Sequence, residues 1–486
     1  MFKGMINSTS SMDKAAQSSQ TVITISLMLG LFVSGLDTSI VNIMLPTLQW
    51  AFQVRADQIM MLATMYLTMM AALQLLFGRC ADIFDAAMIF LMGIFLFMLG
   101  SIGCALSLSF GHILSGRVIQ GIGGAMMAAS FGALILSEFP RDRIGSILGA
   151  VIMVMSFGTI IGPPLGGYLA QHISWHWAFI INIPLCLLSS AALALHLRSR
   201  ARPRRSFQEN IKQLDLPGGI LSIIMFTTLP LGLVSLAKNG WHPLQTGGLF
   251  GLFVCSLILF IAVEKRAETP LLQLAVFRDR SLTMLITIKV VLFMSLNGIL
   301  VIFPFFLTRS VGMSPSAAGM LMLANAGAMA IVTPLAGKLT DRLGGSGIMT
   351  CGSLGLLVIS SSAFILPGSP SFILLATVLI LFGAGFAAVL ISSTAMLLEC
   401  APAGQEGVFS AMNSLTMSVG GSLGLSLFSY LYAVGAAGKT GPVAAEGGLV
   451  TALTGVTVCA ALLLTIAVIY ITTTNAAAKA TTGTRS

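Results

Sequence analysis

One carboxylate and one guanidinium stand inside apolar segments that otherwise carry almost no charge: Asp37 and Arg117. An ionised side chain at membrane depth costs on the order of 2.5–3.5 kcal/mol on insertion scales, so it faces a partner or a wet cavity. Asp37 lies nine residues before Pro46 in an outward-running segment, hence ~13 Å below its outer end at 1.5 Å per residue. Ser34, Thr38 and Asn42 share its stripe at helical spacing. Arg117 enters its own segment from outside at a similar level, and its face continues through Gln120, Gly121 and Ala125. A nearby positive charge favours the ionised form of an acid. Two readings stand. In one, Asp37 carries a proton and Arg117 governs its release as the two meet and part; in the other they form a permanent structural ion pair.

A second constellation has no charge at all. Gly158, Gly162 and Gly166 recur at i, i+4 and i+8, a bare stripe where another helix approaches closely. Pro163 and Pro164 remove two backbone donors beside it, and Gly167 extends the bare surface. The stripe serves either helix packing alone or a contact that changes during transport. Lys289 lies toward the inner end of its segment, as a snorkelling anchor or as a cavity charge. Asn297 falls where the second half would carry an equivalent of Asp37, and the next segment offers only Asn325. With Asn42, Gln120, Phe303, Phe305 and Phe306, these two form the expected substrate cavity. So few acids suit a monocationic, neutral or amphipathic substrate better than a polyvalent cation.

The elements that position these groups follow from composition. Of 486 residues 56% are hydrophobic and 8% charged, with mean hydropathy +0.97; a soluble domain carries about 25% charged residues. Fourteen apolar segments are each long enough to span a bilayer. All but six of the 25 Lys+Arg lie on one side: Arg55, Lys238, Arg309 and Lys439 fall outside, Arg117 and Lys289 within spans. By the positive-inside rule both termini are cytoplasmic, and the net charge of +9 calls for no nucleic acid. The expected order is a cytoplasmic tail 1–21, a six-helix bundle 22–197, a basic cytoplasmic linker 198–215, and two inserted helices 216–264. A second six-helix bundle 265–472 and a cytoplasmic tail 473–486 complete it. Gly78-Arg79-Cys80-Ala81-Asp82 and Gly337-Lys338-Leu339-Thr340-Asp341-Arg342 repeat one pattern at equivalent inter-span loops. Gly78, Asp82, Gly337, Asp341 and Arg342 are accordingly the expected cytoplasmic gate.

Four ordered motifs resemble one family. They are Leu36-Asp37-Thr38-Ser39 running on to Pro46, Arg117-Val118-Ile119-Gln120-Gly121 running on to Ala125, the 158–167 stretch, and Trp175-His176-Trp177 running on to Asn182-Ile183-Pro184. Together they resemble the major facilitator superfamily, in its 14-span drug:proton antiporter branch of the EmrB/QacA type. That resemblance implies an all-α integral membrane protein with the major facilitator fold, two six-helix bundles plus two inserted helices. It also implies proton-coupled export of small molecules by alternating access. The first cytoplasmic loop departs from the family pattern: Asp82 is followed by Ile83, Phe84 and Asp85 rather than by basic residues. Arg141 and Arg143 are candidate replacements.

Several classes find no support. The chain has no GxxxxGK[ST], HExxH or GxSxG motif, so neither ATP hydrolysis nor another enzymatic activity is expected. The seven Cys are scattered without a CxxC, and no disulfide, metal or cofactor is expected. The expected partners are membrane lipids, a small-molecule substrate and protons; whether a periplasmic adaptor is needed stays open. The expected location is the bacterial inner membrane. A dedicated exporter of one metabolite and a transport-inactive receptor on the same fold remain as alternatives.

Overall fold

A computed structural model of the chain describes residues 2–140, 144–199, 214–236, 243–267, 270–272, 274–361, 371–400, 406–439 and 441–483. Arg141, Arg143 and residues 200–213 of the basic linker lie outside the described residues. The first half comprises α1 (Phe2–Phe52), α2 (Ala56–Ile83), α3 (Ala86–Ala105), α4 (Phe110–Glu138), α5 (Ile144–His172), the single turn α6 (Trp177–Ile180) and α7 (Asn182–Ser199). Then follow α8 (Leu216–Leu236), α9 (Pro243–Glu264) and a 3-10 turn (Leu274–Arg278). The second half comprises α10 (Arg280–Arg309), α11 (Pro315–Leu343), α12 (Gly345–Ser360), α13 (Phe372–Glu399), α14 (Glu406–Ala436) and α15 (Gly441–Gly483).

Hydrocarbon offers no hydrogen bonds, so each apolar run must satisfy its backbone internally and becomes a helix. Among the described residues thirteen helices are long and apolar enough to cross a membrane, and the shorter apolar α12 makes fourteen. Their ends are set by polar caps at the points where apolar runs stop. Asp85 accepts from the Ala87 amide at 2.9 Å and starts α3. Asp279 accepts from Ser281 at 2.8 Å and starts α10. Ser314 precedes Pro315 at the start of α11.

Two expected boundaries need correction. Gly78–Asp82 and Gly337–Arg342 are not loops but the last turns of α2 and α11. Nothing breaks either helix until Phe84 and Gly344, and Gly344 takes a positive φ of 87° that L side chains avoid. Asp85, one of the residues that depart from the family pattern, supplies the α3 cap.

The helix contacts repeat. In the first half α1 packs on α5 and α7, α4 on α2 and α3, and α3 on α7. In the second half α10 packs on α14 and α15, α13 on α11 and α12, and α12 on α15. The halves meet where α5 touches α11, α2 touches α14 and α1 touches α10. Exchanging the two halves exchanges the first two contacts, as a pseudo-two-fold requires. Helix α8 lies against α2 and α14, and α9 lies chiefly against α8, so the inserted pair flanks the seam from outside.

The glycine stripe divides its work between bundle and seam. Gly158, Gly162 and Gly166 press on Phe32, Ser39, Ile40 and Ile43 of α1. Gly167 presses instead on the Pro315 carbonyl of α11, and Gly319 of α11 on the Pro163 carbonyl. A side chain at either of these two positions would collide with backbone, so the seam is closed at this level. Along the same two helices toward Ile144 and Leu343, Gly149 and Gly327 have open space beside them.

Candidate functional site

Five helices deliver polar groups to one point inside the first bundle. Asp37 (α1) is 0% exposed and Arg117 (α4) 1%. Arg117 Nη1 donates to Asp37 Oδ2 in a short ion pair, and to Gln120 Oε1 at 2.8 Å. Arg117 Nε donates to the Leu62 carbonyl of α2 at 3.1 Å, and the guanidinium lies 4.3 Å from the centroid of the Tyr66 ring. The other oxygen, Asp37 Oδ1, accepts from Gln120 Nε2 at 3.0 Å and from Asn182 Nδ2 of α7 at 2.8 Å. Ser101 (α3) accepts from the same two amides at 2.8 and 3.4 Å. Close backbones make this possible. A side chain on Gly100 would sit 2.6 Å from the Gln120 amide nitrogen, so only glycine lets α3 and α4 approach this far.

Three side chains, Arg117, Gln120 and Asn182, donate to the carboxylate. A buried charge is tolerated when it is paired and hydrogen-bonded, and Asp37 has a charged partner on Oδ2 and two amide donors on Oδ1. The arrangement is a sealed ion pair at the centre of a six-helix bundle, separate from the seam where the halves meet.

Of the residues expected from sequence, Asp37, Arg117 and Gln120 come together. Gln120, expected in the substrate cavity, is hydrogen-bonded within this network. Asn182, Ser101 and Tyr66 were missed as site members. Asn182 left a signal, as an amide in an apolar run before Ile183 and Pro184; Ser101 left none, because hydroxyls recur in most spans. Ser34 bonds the Tyr66 hydroxyl at 3.1 Å and Thr38 bonds the Ser34 carbonyl at 2.8 Å, so neither reaches Asp37.

The remaining cavity candidates do not line one chamber. Asn42 faces the seam, where it joins Ser39, Ile43, Pro163, Leu300, Pro304 and Met322 around a cavity of ≈ 10 Å³, room for about one water. Its Nδ2 has no hydrogen-bond partner. Asn297 donates to the Phe293 carbonyl of its own helix at 3.0 Å. Asn325 donates to the Leu379 carbonyl at 3.1 Å and ties α11 to α13. Phe303 stacks edge-on to Phe306, 6.1 Å between centroids, and Phe305 lies 5.9 Å from Tyr432; all three phenylalanines are fully buried.

Of the two readings of Lys289, the structure removes one. It is no interfacial anchor: the side chain is 0% exposed, and Nζ donates to Thr394 Oγ1 of α13. The turn of α10 that carries it faces α13 of the same half. Among the gate candidates, Asp82, Asp341 and Arg342 are exposed, and among the described residues none of the three is in an ion pair. A side chain on Gly78 would meet nothing, and one on Gly337 only Ile391 at 3.8 Å.

Two six-helix halves related by exchange, meeting at a helix seam, are the architecture of secondary membrane transporters. The sequence model of the Major Facilitator Superfamily matches residues 27–425 and 285–486, and the chain belongs to that family. It is 30% identical to the multidrug resistance protein Stp of Mycobacterium tuberculosis over 415 residues, 83% of this chain and 74% of the relative. The tetracenomycin C resistance and export protein of Streptomyces glaucescens is 30% identical over 407 residues, with the same coverage. The riboflavin transporter RibZ of Clostridioides difficile is 28% identical over 417 residues, 85% of this chain and 88% of the relative. Among solved structures, the fold resembles a bacterial homologue of the human lysosomal transporter Spinster, inward-facing and unoccupied. The TM-score is 0.65 at 14% identity, covering 93% of this chain and 97% of that one.

Proposed function

We propose that this protein exports small amphipathic molecules across the bacterial plasma membrane in exchange for inward-moving protons. The observation that carries the reading is the convergence of Arg117, Gln120 and Asn182 on Asp37. Arg117 holds Oδ2 and two amides hold Oδ1, and in this reading α1 and α4 part as Asp37 takes up its proton. Helix α1 links that event to the seam. Asp37 and Ser39 are about 200° apart at 3.6 residues per turn: Asp37 looks into the bundle, while Ser39 lines the seam cavity. A turn of α1 that opens the ion pair therefore also disturbs the contact between halves. The closed packing at Gly167 and Gly319, with open space beside Gly149 and Gly327, supports a state that opens toward the cytoplasm.

The proposed topology places both termini in the cytoplasm. Its parts are a tail 1–21, bundles 22–197 and 265–472 joined by linker 198–215 and inserted helices 216–264, and a tail 473–486. Gly78, Asp82, Gly337, Asp341 and Arg342 mark the cytoplasmic gate in this reading. The proposed cavity residues, Asn42, Asn297, Phe303, Phe305, Phe306 and Asn325, gather only when the halves separate.

The full burial of the pair favours one other reading, in which Asp37 and Arg117 only hold the bundle together. Inverted vesicles separate the two. Asp37→Asn is expected to abolish dye accumulation driven by a proton gradient, yet to keep gradient-free exchange of labelled for unlabelled substrate. Loss of both together with a lowered melting temperature supports the structural role. Gradient-driven accumulation that survives the substitution refutes coupling at Asp37. The name of the riboflavin transporter relative favours including riboflavin among the tested substrates.

A further inference from the structure

The two halves enclose a small cavity between them, on the seam rather than inside either bundle. Ser39, Asn42 and Ile43 of α1 and Pro163 of α5 form its first-half wall. Leu300 and Pro304 of α10 and Met322 of α11 form its second-half wall. Pro163, whose carbonyl presses on Gly319, places the cavity at the level where the seam is closed. Its volume of ≈ 10 Å³ admits about one water and nothing larger.

Each wall offers an unanswered polar group. On the first half, Asn42 is 3% exposed and its Nδ2 has no hydrogen-bond partner. A buried donor without an acceptor is costly. On the second half, Pro304 stands inside α10 and has no N–H to return to the Leu300 carbonyl. That carbonyl lies between Leu300 and Pro304, one turn apart on the helix face that lines the cavity. Ser39 Oγ directs its hydrogen at the Gly35 and Leu36 carbonyls of its own helix, 3.1 Å from each. Toward the cavity it can therefore only accept.

We propose that one water molecule occupies this cavity and latches the two halves together. It accepts from Asn42 Nδ2 of the first half and donates to the Leu300 carbonyl of the second, and Ser39 Oγ takes its other hydrogen. Size and chemistry select this occupant. One wall needs an acceptor and the other a donor, and in so small a space water is both. A cation would answer the carbonyl but meet the Asn42 N–H with the wrong sign, and no carboxylate lines the cavity to neutralise it. Separation of the halves parts the two anchors, so the bridge exists only while the seam is closed. The site lies outside the Asp37 network and stands whether or not the chain couples to protons.

The test uses the full chain in detergent and reads Met322 on the cavity wall. Brief X-ray irradiation converts a held water into hydroxyl radicals, which oxidise the nearest side chains, and mass spectrometry counts the added oxygen. Met322 and Met349 are 2% and 0% exposed, and Met349 does not line the cavity, so it serves as the dry comparison. Met322 is expected to oxidise several-fold faster than Met349 under irradiation, while dissolved hydrogen peroxide oxidises both equally slowly. Asn42→Leu removes the donor and is expected to bring Met322 down to the Met349 rate. Pro304→Ala returns an N–H to the Leu300 carbonyl and is expected to lower it as well. Equal rates in the unmodified chain overturn the proposal. So does an excess at Met322 that survives Asn42→Leu, or one that peroxide reproduces, because peroxide reports solvent entry rather than a held water. Should either variant fail to fold, the other decides, together with irradiation against peroxide on the unmodified chain.

Discussion

Asn182, the first residue of α7, donates to the same oxygen of Asp37 that Gln120 reaches from α4. A single carboxylate oxygen thereby holds the first and last long helices of the N-terminal half to its middle. Loss of the carboxylate would remove a tie shared by three helices, so a melting curve accompanies any transport measurement at this residue.

Removal of one partner from the buried pair is expected to be worse than removal of both. Asp37→Asn leaves the Arg117 charge uncompensated, at a cost of about 3–5 kcal/mol. Asp37→Asn combined with Arg117→Met should recover part of that loss. Melting curves in detergent give the comparison; a double variant no more stable than Asp37→Asn alone would argue against an uncompensated charge as the cause.

At the seam, Gly319→Val drives a side chain into the Pro163 carbonyl. The bundles should still fold, because this contact lies between them, but the closure at this level should fail. Asn42→Cys in a background without the native cysteines reports it. Labelling by a membrane-impermeant maleimide from outside should rise several-fold when Gly319→Val is added; unchanged labelling would mean that this contact does not close the seam.

Lys289 has a hydroxyl and, among the described residues, no acid beside it. Lys289→Met keeps the length of the stem and removes a charge without orphaning a counter-ion. The expected melting temperature is equal to that of the unmodified chain or higher. A large drop would reveal an anionic partner that the described residues do not contain.

His176 lies outside the spans, stacked on Trp175 at 3.6 Å between ring centroids and within 2.6 Å of the Ser174 hydroxyl. Burial pushes its pKa below the ordinary 6.5, so the folded turn favours the neutral ring. The stability this contributes is complete above 6.5 and falls as pH drops through the folded value. The ring proton resonances should titrate with a midpoint under 6.5. A midpoint above that would show that the ring gains a favourable charge partner instead.

The apolar runs, their number and their basic flanks were legible along the chain, because hydrocarbon forces any such run into a helix whatever surrounds it. The acid and arginine pairing was legible for a related reason. Two opposite charges at one depth in a medium hostile to both must find each other. The rest depended on which way each helix turns. Gln120 and Asn42 are both amides on polar stripes, yet one fills the Asp37 centre and the other faces the seam. Lys289 has the length to snorkel, and α13 supplies Thr394 before it does. Glu264 reads as the acidic end of a span, and only the fold of α8 against α9 sets it beside Asp215. Local sequence determines that a segment is helical and how deep each residue lies. The neighbour that each face meets is decided by the packing of all fourteen helices together, because in lipid no solvent boundary distinguishes one polar stripe from another.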